Sequence, residues 1–420
     1  MKTILWLCNR PLEETQDRRD GTWFTAMARA LVESGKIRIA IVSQAKVKGI
    51  TRRDFGDINQ WVVPYESLDR NGLPSGRTVD GIKQVANKIN PDLIHVWGTE
   101  NYWGLLTARG LLKAPSILEI QGLKYLCADV YYGGLSLIEL IRHMGPLEIL
   151  RPGSSLIFGK LRFKRWGKLE KEMILLHKNI STQSDWVRMH IKSLHPDCVL
   201  FETGIMLRKE FYSAKPWSPQ GSCDLDAPSV FASSSGAVAY KGLHVLMKAI
   251  AILKKKYPRI VLNIAGDIMK EGIRKNCYTR WLRAESIKLG MLDNIHFLGP
   301  LDANGIIQQF YRSAVVVIPS FIETYSLALA EAMFLGVPAV VSNAGAMPEL
   351  ASDNKSALFF PIGDASACAL QIERILSGQD LAEGLSQNAR EVGLSRNNRR
   401  SVLKRQMEIY NDIFSKENTF

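Results

Sequence analysis

The sequence predicts an α/β protein built from two doubly wound parallel-sheet domains. The chain has 420 residues, more than one ordinary core accommodates, so two domains are expected. Hydrophobic residues make up 46% and charged residues 23% of the chain, a balance typical of globular proteins. Short β-branched runs alternate with helical segments in two series, which is the pattern of parallel βαβ units.

The first series opens with the apolar run TILWLC and a charged loop, followed by a helix from about Thr22 to Ser34. Its further elements are predicted at 37–43 (strand), 79–90 (helix), 92–97 (strand), 100–112 (helix) and 115–122 (strand). Between Leu137 and Lys178 basic and apolar residues are mixed, and the α/β pattern then resumes with ISTQSDWVRMHI.

The segment PWSPQGSCDLDAP (Pro216–Pro228) has the Pro, Gly and Ser content of a linker. The second series follows it, with elements predicted at 229–234 (strand), 242–255 (helix), 259–267 (strand), 278–290 (helix), 295–299 (strand) and 304–314 (helix). We therefore predict an N-terminal domain over residues 1–215, a C-terminal domain over 216–395 and a final amphipathic helix within 396–420.

Composition excludes several classes of protein. The six cysteines show no CxxC spacing and no His at the spacing of a metal ligand, so neither a zinc site nor a disulfide framework is expected. Scattered, reduced thiols of this kind favour a cytoplasmic protein. No apolar stretch reaches the roughly 18 residues of a membrane span, and the first apolar run is too short for a signal peptide. A formal net charge of +13 favours a polyanionic partner: nucleic acid, nucleotide phosphate or an anionic membrane.

The stretch SFIETYSLALAEAMFLGVPAV (Ser320–Val340) is the most informative part of the sequence. The β-branched run before it predicts a buried strand, and a helix is predicted from Ser326 to the stop signal at Gly336. Ligands bind beyond the carboxyl ends of parallel strands. The free N–H groups at Tyr325, Ser326 and Leu327 would form an anion site suited to a diphosphate.

Glu323 and Glu331 are unusual in so apolar a stretch, because a buried carboxylate is costly without a partner. Helical side chains lean toward the N-terminus, so Glu331 would lie over the first turn, near Glu323. One interpretation is that both carboxylates face a ligand with hydroxyl groups on either side of a phosphate. The alternative is that Glu331 bonds a neighbouring backbone group or Arg while Glu323 is a solvated loop residue.

The motifs PSFIE, TYS, EAMFLGVP and AGAMPEL, with AYKGLHVLMKAIAIL, NIAGD and IHFLGPL before them, resemble the signature of retaining glycosyltransferases of family four. These enzymes have the two-domain GT-B fold with the site in the cleft, and carry an E-x7-E motif. The resemblance covers most of Ser229–Ile362; over Met1–His195 it extends only to the order of elements. It implies that the final helix returns to the N-terminal domain.

The resemblance implies roles for single residues. Glu323 would hold hydroxyls of the donor sugar, Glu331 would bind the nucleotide ribose, and Lys241 would neutralise the departing diphosphate. The loop residues that would contact the sugar and phosphates are Thr324, Tyr325, Ser326 and Leu327. As catalytic residues we predict Glu323 and Lys241, the alternative for Lys241 being a plain surface lysine.

Three positions depart from the family pattern. Gly236 stands where an Arg is common, so Lys241 would act with nearby serine hydroxyls or with a more distant Arg. Gln121, before Gly122, replaces the His of a His-Gly pair; it can contact the donor but cannot change charge near neutral pH. The usual Gly-rich first loop is reduced to the single glycine Gly21. This glycine would either allow a close approach to the donor phosphate or be part of a plain helix start.

The resemblance implies transfer of a hexosyl group from a nucleotide diphosphate sugar to an acceptor hydroxyl, with retention and without a metal or cofactor. The leaving phosphate would take the acceptor proton, so no side-chain base is required. His95 and Glu100, at another strand end, are candidates for acceptor contact; the alternative is a structural His and a helix-start Glu.

The segment FGKLRFKRWGKLEK (158–171) interleaves Lys and Arg with Phe163 and Trp166. It could lie on an anionic bilayer, with the rings at the interface, or be an ordinary solvated helix. Membrane contact would favour a polyprenyl-diphosphate-linked acceptor and bacterial polysaccharide synthesis at the cytoplasmic face. No nucleic-acid fold signature accompanies the segment, so nucleic acid is not expected.

Three other functions fit the same fold. A nucleotide-sugar epimerase would act on the free donor, and a phosphorylase would need a pyridoxal phosphate lysine. A non-catalytic GT-B subunit would keep the fold without turnover, and Gly236 and Gln121 give that hypothesis some support. Glu323, Glu331 and Lys241 count against it.

Overall fold

A computed structural model of the chain describes residues 1–13, 23–219, 226–234, 236–268 and 276–417, without the side chains of residues 154 and 417. Gly21 therefore lies outside the described residues. The strands form two sheets, one of eight strands and one of six. Both are parallel apart from one short antiparallel edge pair, which confirms the predicted class of two doubly wound α/β units.

The first sheet has the order β3-β4-β2-β1-β5-β6-β7-β8. Its strands are β1 (Lys2–Leu7), β2 (Ile37–Ala45), β3 (Thr51–Arg52), β4 (Asn59–Pro64), β5 (Leu93–Trp97), β6 (Ser116–Glu119), β7 (Asn179–Thr182) and β8 (Val199–Glu202). The central strands are buried on both faces, as expected where helices cover both sides of a parallel sheet. Strand β4 is not predicted by the sequence pattern, because its buried residues stand in an otherwise polar stretch.

Nine helices of four or more residues are described before the second sheet. They are α1 (Trp23–Glu33), α2 (Gly76–Ile89), α3 (Trp103–Ala108), α4 (Lys124–Asp129), α5 (Leu137–Arg142), α6 (Pro146–Leu150), α7 (Leu156–Leu176), α8 (Asp185–Leu194) and α9 (Lys209–Ser213). The region of mixed basic and apolar residues thus forms two short helices followed by one long helix.

The second sheet has the order β11-β10-β9-β12-β13-β14. Its strands are β9 (Ser229–Ser233), β10 (Val261–Ala265), β11 (Ile295–Gly299), β12 (Val315–Ile318), β13 (Ala339–Ser342) and β14 (Leu358–Phe360). The helices of this part are α10 (Leu243–Leu253), α11 (Cys277–Lys288), α12 (Ala303–Arg312), α13 (Leu327–Leu335), α14 (Met347–Leu350), α15 (Ala365–Ser377), α16 (Gln379–Arg396) and α17 (Arg399–Glu417).

The strand and helix predicted around Ser320 are both present. β12 is fully buried, and α13 begins after its N-cap Ser326 and ends at Gly336, which adopts the left-handed conformation with φ 79°. A glycine at this position stops a helix because it lacks the Cβ that makes that conformation costly. The local signals were therefore sufficient to predict this unit.

Helix α17, at residues 399–417, packs against the first sheet and α1, which belong to the first part of the chain. The hydroxyl of buried Tyr410 lies 2.8 Å from Nδ1 of His95 and accepts a hydrogen bond of 3.3 Å from Nε1 of Trp6. Near its start, Arg399 forms an ion pair with Glu33 of α1. The two halves of the chain are thus held together at a second place besides the cleft.

The linker segment and the region before α7 also contact the second sheet. Trp217, expected in a linker, is buried and its Nε1 donates to the carbonyl of Ser313. Tyr131, Leu140 and Leu156 belong to the core cluster that contains β9 and α10. The predicted boundary at residue 215 remains a prediction, since the two cores share residues from both halves of the chain.

Candidate active site

The loop between β12 and α13 holds Glu323 in a network of polar contacts. Lys241 Nζ and Ser320 Oγ each donate to Glu323 Oε1 over 2.7 Å. The Glu323 side chain is only 11% exposed, so this carboxylate is not a solvated loop residue. The sequence placed Lys241 and Glu323 on the same ligand, and the structure adds that they form an ion pair.

Two glycines permit the close approach of neighbouring chain segments to this loop. Gly242 follows Lys241 at φ 71°, and a Cβ there would lie 1.8 Å from the carbonyl oxygen of Pro319. Gly345, in the segment AGAMPEL, has φ 55°, and a Cβ there would lie 2.0 Å from the carbonyl oxygen of Glu323. Any side chain at either position would displace the loop that carries Glu323.

Glu331 lies on α13 in contact with Arg208, a residue just before α9. Arg208 Nε and a terminal guanidinium nitrogen contact Glu331 Oε1 at 2.9 Å and 2.7 Å. Burial raises the pKa of Glu331, and the nearby charge of Arg208 opposes that shift. Of the two interpretations given for Glu331, pairing with an Arg is therefore correct. The Arg belongs to the N-terminal half of the chain, whereas Glu331 belongs to the C-terminal half.

Glu323 and Glu331 line the same cavity, which has a volume of about 450 Å³. Lys241, Arg208 and Arg10 supply its cations, and Ser326 and Leu327 contribute the first turn of α13. Asp267 adds a third carboxylate to the lining, and most of the other lining residues are small or apolar, among them Ser233, Ser234, Ala265, Gly266, Pro300, Leu301 and Ile306. Glu323 and Glu331 thus converge on one space beside a positively polarised helix N-terminus.

Arg208 and Arg10 were not predicted as site residues. Arg10 follows the carboxyl end of β1, and its side chain is exposed in the cavity. Position after a parallel strand was the available signal for Arg10. For Arg208 there was no local signal, because its approach to Glu331 depends on how the two halves of the chain pack. Gly236 stands where the family commonly has an Arg, and in this chain Arg10 and Arg208 supply cations to the cavity instead.

Three predicted donor residues lie beside the cavity and do not line it. Thr324 Oγ1 donates to the carbonyl of Gln121 over 2.9 Å, and the carbonyl of Thr324 accepts from Ser184 Oγ. The ring of Tyr325 is buried, and its hydroxyl accepts from Asn397. Thr324 and Gln121 therefore join the two halves of the chain at the edge of the cleft.

The acceptor role predicted for His95 is wrong for this conformation. His95 occupies the middle of β5, has no exposed surface, stacks on Trp97 and lies under Tyr410 of α17. Burial lowers the pKa of its imidazole. The sequence located the strand correctly, but it did not reveal that α17 covers this face.

Glu100 has the surroundings of a functional carboxyl group. It follows the carboxyl end of β5, and its Oε2 is buried without a hydrogen-bond partner among the described residues. Cβ atoms at Gly98 and Gly122 would lie 2.0 Å and 3.1 Å from its carboxyl oxygens, so the two glycines make room for it. Burial raises the pKa of Glu100 to about 7, with Glu170 adding to the shift and Lys124 opposing it. Its acceptor contact remains a prediction.

The rings of Phe163 and Trp166 do not lie on a membrane-facing surface as predicted. Trp166 Nε1 donates to the carbonyl of Thr99 over 2.7 Å, and Phe163 packs against Tyr131 at 4.9 Å between ring centroids. Trp166 packs against the core cluster of the first sheet and Phe163 against that of the second sheet, while α7 itself packs on α4. Within the described residues, no helix is long and apolar enough to cross a membrane.

Comparison with known proteins agrees with the resemblance drawn from the sequence. Residues 225–392 match the family model described as Glycosyl transferases group 1. An uncharacterized glycosyltransferase of Bacillus subtilis is 28% identical over 178 residues, 42% of this chain and 47% of that protein. The chain therefore matches about half the length of that relative. The segment matched by the family model contains the cavity residues of the second sheet.

Solved structures extend the likeness to the whole chain at the level of the fold. Sucrose-phosphate synthase from Thermosynechococcus elongatus has a TM-score of 0.72 at 15% identity, covering 99% of this chain and 100% of that one. An Anabaena protein solved in complex with UDP-glucose has a TM-score of 0.67 at 15% identity, covering 99% and 100%. The two parallel-sheet domains therefore have the GT-B fold, as predicted.

Proposed function

We propose that this chain, a GT-B protein whose residues 225–392 match the group 1 glycosyl transferases, transfers a hexosyl group from a nucleotide diphosphate sugar to an acceptor hydroxyl with retention of configuration. The observation that carries the proposal is the convergence of Glu323, Glu331 and Lys241 on one cavity at the N-terminus of α13. Its volume of about 450 Å³ lies within the usual range for small-molecule sites.

The donor would bind with its diphosphate against the first turn of α13. The free N–H groups of that turn and the helix dipole favour an anion there. Lys241 lies in the same space and would exchange Glu323 for a phosphate oxygen. Glu323 would then be free to accept hydrogen bonds from hydroxyls of the donor sugar.

Glu331 would accept hydrogen bonds from both ribose hydroxyls of the nucleotide. Arg208 holds the carboxylate through its Oε1 and compensates its charge, which leaves the other oxygen available for the ribose. The apolar residues Pro300, Leu301 and Ile306 line the same cavity and would pack against the base. Each part of a nucleotide sugar thus has a chemically suitable neighbour.

In the transfer step the acceptor oxygen bonds to the anomeric carbon as the bond from that carbon to the diphosphate oxygen breaks. The acceptor proton passes to the departing phosphate oxygen on the same face of the sugar. Negative charge grows on the diphosphate in the transition state, and Lys241 and Arg10 are the cations that would stabilise it. With these cations present, we propose that the reaction proceeds without a metal or cofactor.

The acceptor would approach from the side of the first sheet. Glu100 and Gln121 lie there, and Gln121 contacts Thr324 next to Glu323. Glu100, whose Oε2 has no hydrogen-bond partner among the described residues, would bind the acceptor hydroxyl or a neighbouring sugar hydroxyl. We further propose a polyprenyl-diphosphate-linked acceptor in polysaccharide or glycolipid synthesis, at the cytoplasmic face of the membrane.

The test is nucleotide release from a panel of donor sugars, with and without a lipid-linked acceptor, for wild type and Glu323→Ala. The matched control is Glu373→Ala, which removes a Glu from a surface ion pair with Lys256. We expect acceptor-dependent release that Glu323→Ala lowers by about 100-fold or more and Glu373→Ala leaves unchanged.

Other results would replace the proposal. Interconversion of the free donor sugar without acceptor would indicate an epimerase. Donor binding without release under any condition would indicate a non-catalytic subunit. Full turnover by Glu323→Ala would refute the role of that residue.

A further inference from the structure

We propose that the exposed side of α5, α6 and the first turns of α7, here called the α5–α7 surface, binds an anionic lipid bilayer. The binding itself does not depend on the transferase reaction; its use in presenting a lipid-linked acceptor rests on the proposed function. The residues that carry the inference differ from the rings of Phe163 and Trp166, which pack inside the protein.

The α5–α7 surface exposes an unusual set of large apolar side chains. Ile and Leu are among the residue types most often buried. Here the exposed fractions are 62% for Ile138, 53% for Ile141, 64% for Ile149, 79% for Leu150, 40% for Phe158 and 50% for Leu161. These residues come from three consecutive helices, so the exposure is a property of a continuous segment of chain and not of scattered positions.

The segment is held in a fixed position, so the exposure is not due to loose helices. Leu140, on the opposite side of α5, is fully buried in the core around β9 and α10. Glu148 of α6 forms an ion pair of 2.6 Å with Arg280 of α11. Each short helix is therefore anchored on one side and presents its apolar side chains on the other.

Cations outnumber carboxylates around these side chains. The cations of the segment 136–168 are Arg142, Arg151, Lys160, Arg162, Lys164, Arg165 and Lys168. Its only carboxylates are Glu139, which accepts from Ser136 at the start of α5, and Glu148, which is buried against Arg280. Exposed apolar residues surrounded by cations fit a surface with anionic headgroups above a hydrocarbon layer.

This combination favours a bilayer over other occupants. Two copies of the chain meeting through this surface would bring like charges together. An RNA would use the cations but would leave Ile138, Ile149 and Leu150 without a partner. Only a lipid surface uses both the protruding aliphatic side chains and the excess of cations over carboxylates in this segment.

The α5–α7 surface is connected to the loop that carries Glu323. The carbonyl of Gly133, just before α5, accepts from His244 Nε2 over 2.8 Å, and the His244 ring stacks on Phe321 at 5.8 Å. Phe321 precedes Glu323 by two residues. A protein resting on this surface would thus hold the donor loop near the bilayer, where a lipid-linked acceptor emerges.

The test is co-sedimentation of the full chain with vesicles of phosphatidylcholine alone or with added phosphatidylglycerol, without donor sugar. We expect binding only to the anionic vesicles. The double variant Ile141→Glu, Leu150→Glu should bind about tenfold more weakly or worse. Met189→Glu is the matched control, because Met189 is 62% exposed on α8, outside this surface, and the change should have no effect.

Melting temperatures of the variants check that each is folded. Equal vesicle binding by wild type and the double variant would overturn the proposal, as would no binding to anionic vesicles at all. Concentration-dependent self-association that the double variant abolishes, without vesicle binding, would assign the surface to a second copy. Because no turnover is measured, the result is independent of whether the chain proves to be a transferase.

Discussion

Lys241 and Glu323 neutralise each other in the cavity, and this pairing has a consequence for binding. In the proposed function, a diphosphate would displace the carboxylate from the ammonium group, and the released carboxylate would become an acceptor for sugar hydroxyls. The pair would therefore couple recognition of the phosphate to recognition of the sugar. Neither residue alone would provide that coupling.

We predict that Lys241→Ala lowers kcat by about 100-fold or more, because it removes a cation that stabilises the growing charge of the leaving group. Steady-state nucleotide release measures the effect. Lys256→Ala, which breaks a surface ion pair with Glu373, is the control and should retain wild-type kcat. Equal rates for the two variants would show that Lys241 has no part in the chemical step.

Arg208 compensates the buried charge of Glu331, and its removal should be costly. We predict that Arg208→Ala destabilises the protein by about 3–5 kcal/mol, the usual cost of breaking a buried ion pair on one side. Adding Glu331→Gln to Arg208→Ala should recover a large part of this loss, because no buried charge then remains. Melting temperatures measure both effects. A double variant no more stable than Arg208→Ala would contradict this explanation.

Glu100 should make stability depend on pH near neutrality. Its pKa is raised to about 7 in the folded state from 4.5, so the folded state holds the proton more tightly. Stability should therefore fall as pH rises from about 5 through 7, by about 3 kcal/mol in total, and stay low above pH 8. In Glu100→Gln this contribution should be absent. Melting temperatures at pH 5 and pH 8 test it, and identical differences for wild type and variant would refute it.

The β12–loop–α13 unit shows which elements sequence patterns predict well. The β-branched run, the helix start at Ser326 and the stop at Gly336 were predicted from local signals, and each agrees with the structure. β4 was missed because its buried residues lie in a polar stretch, where only the neighbouring strand explains their burial. Elements whose start, end and burial are all indicated by neighbouring residues in the sequence were predictable. Elements whose burial depends on contacts with distant strands or helices were not.

Gly242 and Gly345 fix the position of the donor loop, and both should be intolerant of substitution. We predict that Gly345→Ala lowers both melting temperature and nucleotide release, because a Cβ there would lie 2.0 Å from the Glu323 carbonyl and the residue has positive φ. Gly384→Ala in α16 is the control, since a Cβ there meets nothing within 4 Å. Unimpaired release by Gly345→Ala would mean that the loop tolerates displacement.

At the scale of the whole molecule, α17 links the end of the chain to the first sheet. Its residue Tyr410 contacts His95 and Trp6 of the first sheet, and all three side chains are buried. We predict that Tyr410→Phe destabilises the protein by about 1–3 kcal/mol, because it leaves buried partners without a hydrogen bond. Thermal unfolding measures the change, and Tyr65→Phe, at an exposed position, is the control. No difference between the two variants would contradict the importance of this contact.

The packing of the two halves decides which site residues could be predicted. Glu323, Glu331 and Lys241 were found because they lie in one half, within motifs of fixed spacing. Arg208 and the burial of His95 depend on contacts between distant segments, namely α9 with α13 and α17 with β5. A single sequence contains no local signal for such contacts.

The central claim is that one sugar nucleotide binds between Glu323 and Glu331 at the N-terminus of α13. A crystal structure of the complex tests it most directly, with the nucleotide diphosphate sugar that most raises the melting temperature. We expect phosphate oxygens within hydrogen-bond distance of Lys241 Nζ and of the first turn of α13, with the ribose hydroxyls on Glu331. A nucleotide bound elsewhere, with the 2.7 Å contact between Lys241 and Glu323 unchanged, would contradict it.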